Sequence, residues 1–428
     1  MAEPKNILIF PAGTEIAFEI CDALKNSRFV RLFGATSVPC HAEFVFQRCF
    51  SGLPFVDDPD LISAINRIID ENGIDYIYPA HDSALLRFSE ERESLHAEVL
   101  ASAKETVAIC RSKTRTYRHL CSAPYLPSFY SAPEDIPAYP VFIKPSVGQG
   151  SQGARIIRDR MHLDEALSDG TEYTVCEYLP GEELTVDCFT DRHGVLRFVS
   201  PRSRERIRAG IAVRSRNLPL TEELQSIAED INRRLSFNGA WFFQVKKNAS
   251  GQFRLLEIAP RIAGTMGLTR NLGINMPLLT LYNFWGIDVS LIPNRASLLL
   301  DRAFISRFQT DISYSAVYVD FDDTLIVRGK VNAYLMMFLY QAYNNGKRLC
   351  LLTRHSTDIY ADLEKYCIPA SLFSEIIRLD DTGSKADYIS PDSVFIDDSF
   401  SERLRVRQAL GIPVFDLDMV ESLIDWRS

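Results

Sequence analysis

Pro140-Val-Phe-Ile-Lys-Pro-Ser-Val-Gly-Gln-Gly-Ser-Gln-Gly153 is an apolar strand that ends on a lysine and runs into a loop with three glycines. Glycines let backbone N–H groups wrap closely around phosphate oxygens, and a lysine adds a point charge. Alone, the stretch also fits a flexible surface loop. Three further segments follow it in order. They are Val175-Cys-Glu-Tyr-Leu-Pro-Gly-Glu-Glu-Leu-Thr-Val-Asp187, Phe243-Gln-Val245 and Leu256-Glu-Ile-Ala-Pro-Arg261.

In that order the segments resemble the ATP-grasp ligases, in particular their carbamoyl-phosphate-synthase-like branch. The resemblance covers roughly residues 1–305, and Phe10-Pro-Ala-Gly-Thr-Glu-Ile16 fits the domain that precedes ATP-grasp in that branch. It implies an enzyme that activates a small carboxylate as an acyl phosphate, which an amine nucleophile then attacks. It implies ATP and Mg²⁺ as cofactors. By position, Lys113 and Lys144 contact ATP phosphates, and Gly148, Gly150, Ser151 and Gly153 form the lid. Glu177 meets the adenine with the Leu179 backbone beside it, and Glu183 holds the ribose. Gln244 and Glu257 fall at metal-ligand positions, where oxygen donors suit magnesium. Arg261 stabilises the transferred phosphoryl group. One departure stands out: the family places an asparagine ligand where this chain has Ala259, which cannot coordinate.

Between these segments lie Arg202, Arg204, Arg206, Arg208, Arg214 and Arg216. If 202–208 is one strand, the alternating arginines share a face. Arginine forks suit carboxylate and phosphate, so Arg204 and Arg206 are predicted to bind an anionic substrate. A solvated basic edge strand is the bland alternative.

A second signature begins at Val317-Tyr-Val-Asp-Phe-Asp-Asp-Thr-Leu325, again an apolar strand running into polar chemistry. Thr353 ends the apolar run Leu349-Cys-Leu-Leu352, Lys385 follows Gly383-Ser384, and Asp397-Asp398 end Val394-Phe-Ile396. The four together resemble the haloacid dehalogenase-like (HAD) phosphatases over residues 311–428. The resemblance implies Asp320 as nucleophile, Asp322 as acid/base, Thr353 and Lys385 as phosphate-binding groups, and Asp320, Asp322 and Asp397 around Mg²⁺. Only Ile326–Lys330 separate the first motif from the next helix, so no cap domain is expected.

Elsewhere the pattern is β-α-β. Residues 6–10 read as a buried strand, Ile16, Ala17 and Ile20 as a helix face, 30–35 as a strand, Leu61–Ile69 as a helix closed by Gly73, and Ile74–Tyr78 as a strand. His41, His81 and Asp82 fall where open α/β sheets bind ligands, although structural polar residues would read the same. The loop at Gly13 is not a dinucleotide fingerprint, which needs three glycines. Val331, Tyr334, Leu335, Phe338, Leu339 and Ala342 share a helical face. The expected class is therefore α/β: a Rossmann-like domain over 1–105, an α+β ATP-grasp domain over 106–310 and a capless α/β domain over 311–428.

The chain has 428 residues, 46% of them apolar, and a net charge of −9. That balance argues against a nucleic-acid partner. No apolar run approaches the ~20 residues of a membrane span. The start resembles no signal peptide, and nine unclustered cysteines read as reduced thiols, so a cytoplasmic protein is expected. The leading expectation is a bifunctional enzyme, an amide-forming ligase joined to a phosphatase acting on a phosphorylated small molecule, with a homodimer left open. The alternatives are an enzyme that forms a carbamoyl or acyl phosphate without an amide, and a nucleotide-sensing module whose ATP-grasp half only binds.

Overall fold

The computed structural model describes residues 3–150, 152–380 and 383–427. They form two compact units, up to Phe304 and from Ile305 on. The division falls six residues (304 against 310) before the expected boundary, because Ile305–Tyr314 contain no regular element.

The first unit opens with a parallel sheet, β3-β2-β1-β4-β5, built from β1 (Lys5–Phe10), β2 (Val30–Ala35), β3 (Arg48–Phe50), β4 (Tyr76–Pro79) and β5 (Glu98–Val99). This is the order of a doubly wound fold. Helix α1 (Glu15–Leu24) starts at Thr14, whose hydroxyl accepts the Ala17 N–H. Helix α2 (Leu61–Asn72) buries Leu61, Ile65, Ile68 and Ile69 and stops at Gly73, which takes a left-handed conformation. Such a C-cap suits glycine because it has no Cβ to clash. Helix α3 (Asp82–Glu90) leaves the end of β4.

Residues 104–301 belong to the same unit. Helices α4 (Lys104–Arg111) and α5 (Lys113–His119) lead into an antiparallel sheet β6-β9-β7-β8, formed by β6 (Phe129–Tyr130), β7 (Val141–Pro145), β8 (Arg155–Ile157) and β9 (Tyr173–Glu177). A second antiparallel sheet, β11-β10-β14-β15, joins β10 (Glu183–Thr190) and β11 (Leu196–Ser203) to β14 (Gly239–Lys247) and β15 (Phe253–Ala259). Between them in sequence lie β12 (Arg206–Arg208) and β13 (Ile211–Arg216), which form a small sheet with β16 (Leu299–Asp301). One apolar core spans the sequence parts expected as separate domains. Ile7, Ile16 and Ile20 cluster with Phe242, Ala259, Met276 and Leu281.

The second unit is a parallel sheet, β21-β20-β17-β22-β23, of β17 (Ala316–Val319), β20 (Arg348–Thr353), β21 (Glu375–Arg378), β22 (Ser393–Ile396) and β23 (Val414–Phe415). A two-stranded hairpin, β18 (Ile326–Val327) and β19 (Lys330–Val331), occupies the short link after the first motif. The following helix, Ala333–Asn344, buries Leu335, Phe338, Leu339 and Ala342 as its period predicts. Tyr334, placed on the same face by sequence, is exposed. All nine cysteines are free. Among the described residues no helix is long and apolar enough to cross a membrane.

Candidate functional sites

In the first unit a cavity of about 150 Å³ gathers most of the residues singled out on the sequence. Lys113, Lys144, Gly148, Gly150, Glu177, Leu179, Glu183, Arg204, Gln244 and Glu257 all line it. Strand pairing explains part of this. Gln244 on β14 stands opposite Glu257 on β15 and, on its other side, Thr185 on β10. Ser151 lies outside the described residues. Gly153 does not line the cavity. It turns the loop at φ +71°, and a Cβ there would sit 2.9 Å from Pro145 Cγ.

Lys144 is buried, donating from Nζ to Tyr117 Oη at 2.8 Å and to the Leu256 carbonyl at 2.6 Å. Burial lowers its pKa to about 8, with the neighbouring charge of Lys113 adding to the effect. Lys113 donates to the Gly148 carbonyl at 3.1 Å and sits 3.8 Å from Glu257. The Glu177 carboxylate already accepts the Ser128 N–H at 3.0 Å. Glu183 is 2.7 Å from Arg204 Nε and 3.7 Å from Lys246.

One expectation needs correction. Arg204 and Arg206 do not act as a pair. The chain leaves one sheet at Ser203 and enters another at Arg206, so the alternation is broken. Arg202 and Arg204 turn inward, whereas Arg206 is exposed, bound to Asp301 at 2.5 Å, and lines neither cavity. Arg261 is paired with a carboxylate at the cavity wall. It grips Asp82 with two bonds of 2.7 Å at the mouth of α3. Burial pushes Asp82 up, but the Arg261 charge and hydrogen bonds prevail and hold it at about 2. Arg261 and Asp82 line a second cavity of about 380 Å³, which adjoins the first through Lys113, Arg204, Gln244 and Glu257.

The lid has a partner that no motif announced. Gly210, at the turn between β12 and β13, meets Gly150 backbone to backbone; a Cβ at Gly210 would fall 2.1 Å from the Gly150 carbonyl carbon. Gln149 Nε2 reaches His81 Nε2 at 2.8 Å.

In the second unit, Asp320, Asp397 and Asp398 present carboxylate oxygens within 4.8 Å of one another. They stand just beyond the C-terminal ends of β17 and β22. Lys385 Nζ is 3.1 Å from Asp320 and 2.6 Å from Asp397. Thr353 is buried at the end of β20, and its hydroxyl opposes the upward shift of Asp320. Burial raises Asp320 to about 6, opposed by the Lys385 charge, and burial also raises Asp397. Asp320 Oδ1 is buried, and Lys385 Nζ is the charged group that faces it. Hard oxygen donors grouped in this way fit a divalent cation.

Asp322, expected with Asp320 and Asp397 around the metal, does not join them. Buried Phe321 intervenes, and the Asp322 carboxylate faces His355, with Nδ1 and Oδ2 2.8 Å apart. Asp398 takes its place in the group, held by Thr324 Oγ1 at 3.0 Å. His355 was not foreseen. Its other nitrogen lies 2.8 Å from Asp362. Burial lowers the His355 pKa, but the two carboxylates outweigh it and the net shift is upward.

A family model described as "ATP-grasp in the biosynthetic pathway with Ter operon" matches residues 170–299. No curated protein matches the sequence. Among solved structures, the chain is similar to Rhizobium etli pyruvate carboxylase T882A with acetyl coenzyme A, at 18% identity and TM-score 0.56, covering 67% of this chain and only 29% of that one. It is similar to the biotin carboxylase domain dimer of Hydrogenobacter thermophilus 2-oxoglutarate carboxylase, in complex with MgADP, ADP and bicarbonate, at 16% identity and TM-score 0.57 (70% and 74% covered). It is also similar to the L-amino acid ligase of Bacillus licheniformis, at 18% identity and TM-score 0.53 (66% and 74% covered). With the glycine loop, the paired antiparallel sheets and the preceding parallel sheet, these likenesses identify an ATP-grasp fold in the first unit.

Proposed function

We propose that this chain is a bifunctional enzyme, an ATP-dependent carboxylate–amine ligase joined to a Mg²⁺-dependent phosphatase of the HAD type. We divide it into domains at 1–105, 106–310 and 311–428. The observation that carries the ligase half is the convergence of Lys113, Lys144, Gln244 and Glu257 on one cavity beneath a glycine loop. The lysines hold triphosphate charge, and the loop backbone wraps it. Gln244 and Glu257 are the residues that would hold magnesium, which neutralises phosphate charge when bound. One carboxylate and one amide fit a single ion shared with ATP. The second ion of the family's arrangement does not fit, because Ala259 puts a buried methyl group at that position. That same methyl favours the nucleotide-sensing alternative. The similarity to an L-amino acid ligase supports amide formation.

For the phosphatase half, Asp320 attacks phosphorus, an O–P bond forms and the bond to the leaving oxygen breaks. Asp322 gives that oxygen its proton, then takes one from the water that hydrolyses the aspartyl phosphate. Thr353 and Lys385 hold the phosphoryl oxygens. Asp320, Asp397 and Asp398 are the residues that would hold magnesium.

Two assays test the halves separately. Lys144→Ala and Glu257→Ala should each suppress carboxylate-dependent ADP formation, with losses that do not add fully because both residues act on one triphosphate. Normal turnover in either variant overturns the ligase assignment. Asp320→Asn should abolish Mg²⁺-dependent aryl phosphate hydrolysis and leave ATP binding intact. Wild-type hydrolysis in that variant removes Asp320 as the nucleophile.

A further inference from the structure

The 380 Å³ cavity contains more positive charge than its walls neutralise. Most of its cations have partners. Arg261 is bound to Asp82, Arg204 to Glu183, and Arg202 Nε to Asp187 at 2.9 Å. Arg111 donates to Ser83 Oγ and, at 3.4 Å, to the Gly148 carbonyl. Arg302, just past β16, differs. Among the described residues its guanidinium makes no ion pair and no hydrogen bond. It is half-buried, and burial lowers its pKa, as does the positive charge of Arg202. Glu15 and Glu19 act in the other direction. Neither lies at ion-pair distance, and Glu19 is committed to Arg270 at 2.8 Å.

Arg202 adds an independent observation. It is 2% exposed, and its Nη1 is buried with no hydrogen bond. Both guanidinium groups line the same cavity with donors unmet, which is costly, and an anion bound in that cavity relieves the cost. Gly264 lets Glu15 and the Arg302 guanidinium pack directly against the backbone at the cavity wall. A Cβ there would come 2.5 Å from Glu15 Cγ and 3.2 Å from both terminal nitrogens of Arg302.

We propose that Arg202 and Arg302 seat a second oxyanion of the acceptor substrate, a carboxylate or phosphate distinct from the carboxylate that the ligase activates. The seat stands on the cavity itself; calling its ligand an acceptor rests on the ligase reading. The substrate is then at least a dianion. The activated carboxylate lies toward Gln244 and Glu257, and the second group lies toward Arg302.

The test titrates succinate and, separately, inorganic phosphate into the full chain by calorimetry, with a non-hydrolysable ATP analogue and Mg²⁺ filling the triphosphate site. Wild type should bind at least one anion. Arg302→Gln should weaken that binding about ten- to hundredfold, as expected for loss of a charge-assisted hydrogen bond. It should leave analogue affinity unchanged, and Arg302→Lys should restore part of the loss. Tighter phosphate identifies a phosphorylated acceptor; tighter succinate identifies a dicarboxylate. Absence of anion binding to wild type, or equal binding to Arg302→Gln, overturns the seat. Failure of the analogue to bind overturns the ligase reading instead, and the anion titrations repeated without it still decide the seat. Should Arg302→Gln not fold, Glu15→Gln provides the second reading. Removing the adjacent negative charge should tighten anion binding, and no change counts against the proposal.

Discussion

Lys144 shows how one buried side chain ties acidity to function. Its folded pKa is about 8, against an ordinary 10.5, because burial disfavours the ammonium. The sign follows directly. Between about 8 and 10.5 the unfolded chain holds this proton and the folded chain does not, so this group makes stability rise with pH across that window. A triphosphate needs the charged form. ATP affinity should therefore fall as pH climbs past 8, and binding above that pH should take up a proton. Calorimetry in two buffers of different ionisation enthalpy measures the uptake, and Lys144→Arg, always charged, should flatten the profile. His355 gives a second expectation. It fixes the exposed Asp322 carboxylate from one side while Asp362 fixes the ring from the other. His355→Asn should lower kcat for phosphate ester hydrolysis by about tenfold, a part of the ~10²–10⁴ that a positioned acid contributes. Magnesium affinity should not change, because Asp322 lies outside the carboxylate group.

At the scale of elements, the glycine lid and the β12–β13 turn form one device through the Gly150–Gly210 contact. Gly210 has φ +76°, so Gly210→Ala imposes both backbone strain of about 1–3 kcal/mol and a collision with Gly150. The KM for ATP should rise while the phosphatase rate stays constant; paired steady-state assays on one preparation check both. Sequence reading found the regular elements where periodicity was strong. Leu61, Ile65, Ile68 and Ile69 marked α2, and Gly73 closed it. It missed β16, because a three-residue strand in a stretch with Pro293-Asn294 has no period to detect. It misread the arginines, because alternation cannot reveal that the chain changes sheets between Ser203 and Arg206. Motif positions converged on one cavity, yet Tyr117, Arg302 and His355 stayed silent. Tyr117 acts through Lys144, 27 residues away, and His355 through Asp322, 33 residues away, while Arg302 stands out by lacking a partner among the described residues; none of this is written in local spacing.

At the scale of the molecule, each unit has its own apolar core. Ile7, Phe242 and Met276 belong to one, and Val317, Phe338 and Ile396 to the other. Each core is large enough for its own cooperative transition. Scanning calorimetry should resolve two. The ATP analogue at 100 times its Kd should stabilise one by about 2.7 kcal/mol and leave the other unmoved. A phosphate mimic such as beryllofluoride with Mg²⁺ should do the reverse. A single transition shifted equally by both ligands would contradict this division of labour.

The contact of Gly150 with Gly210 also joins the two cavities. Gly148, Gly150 and Gly210 stand in the walls of both. If the first holds nucleotide and the second its acceptor, as proposed, movement at this contact reaches both ligands at once. Nucleotide release should then be coupled to product release, and bound nucleotide should slow the departure of the acceptor without touching it.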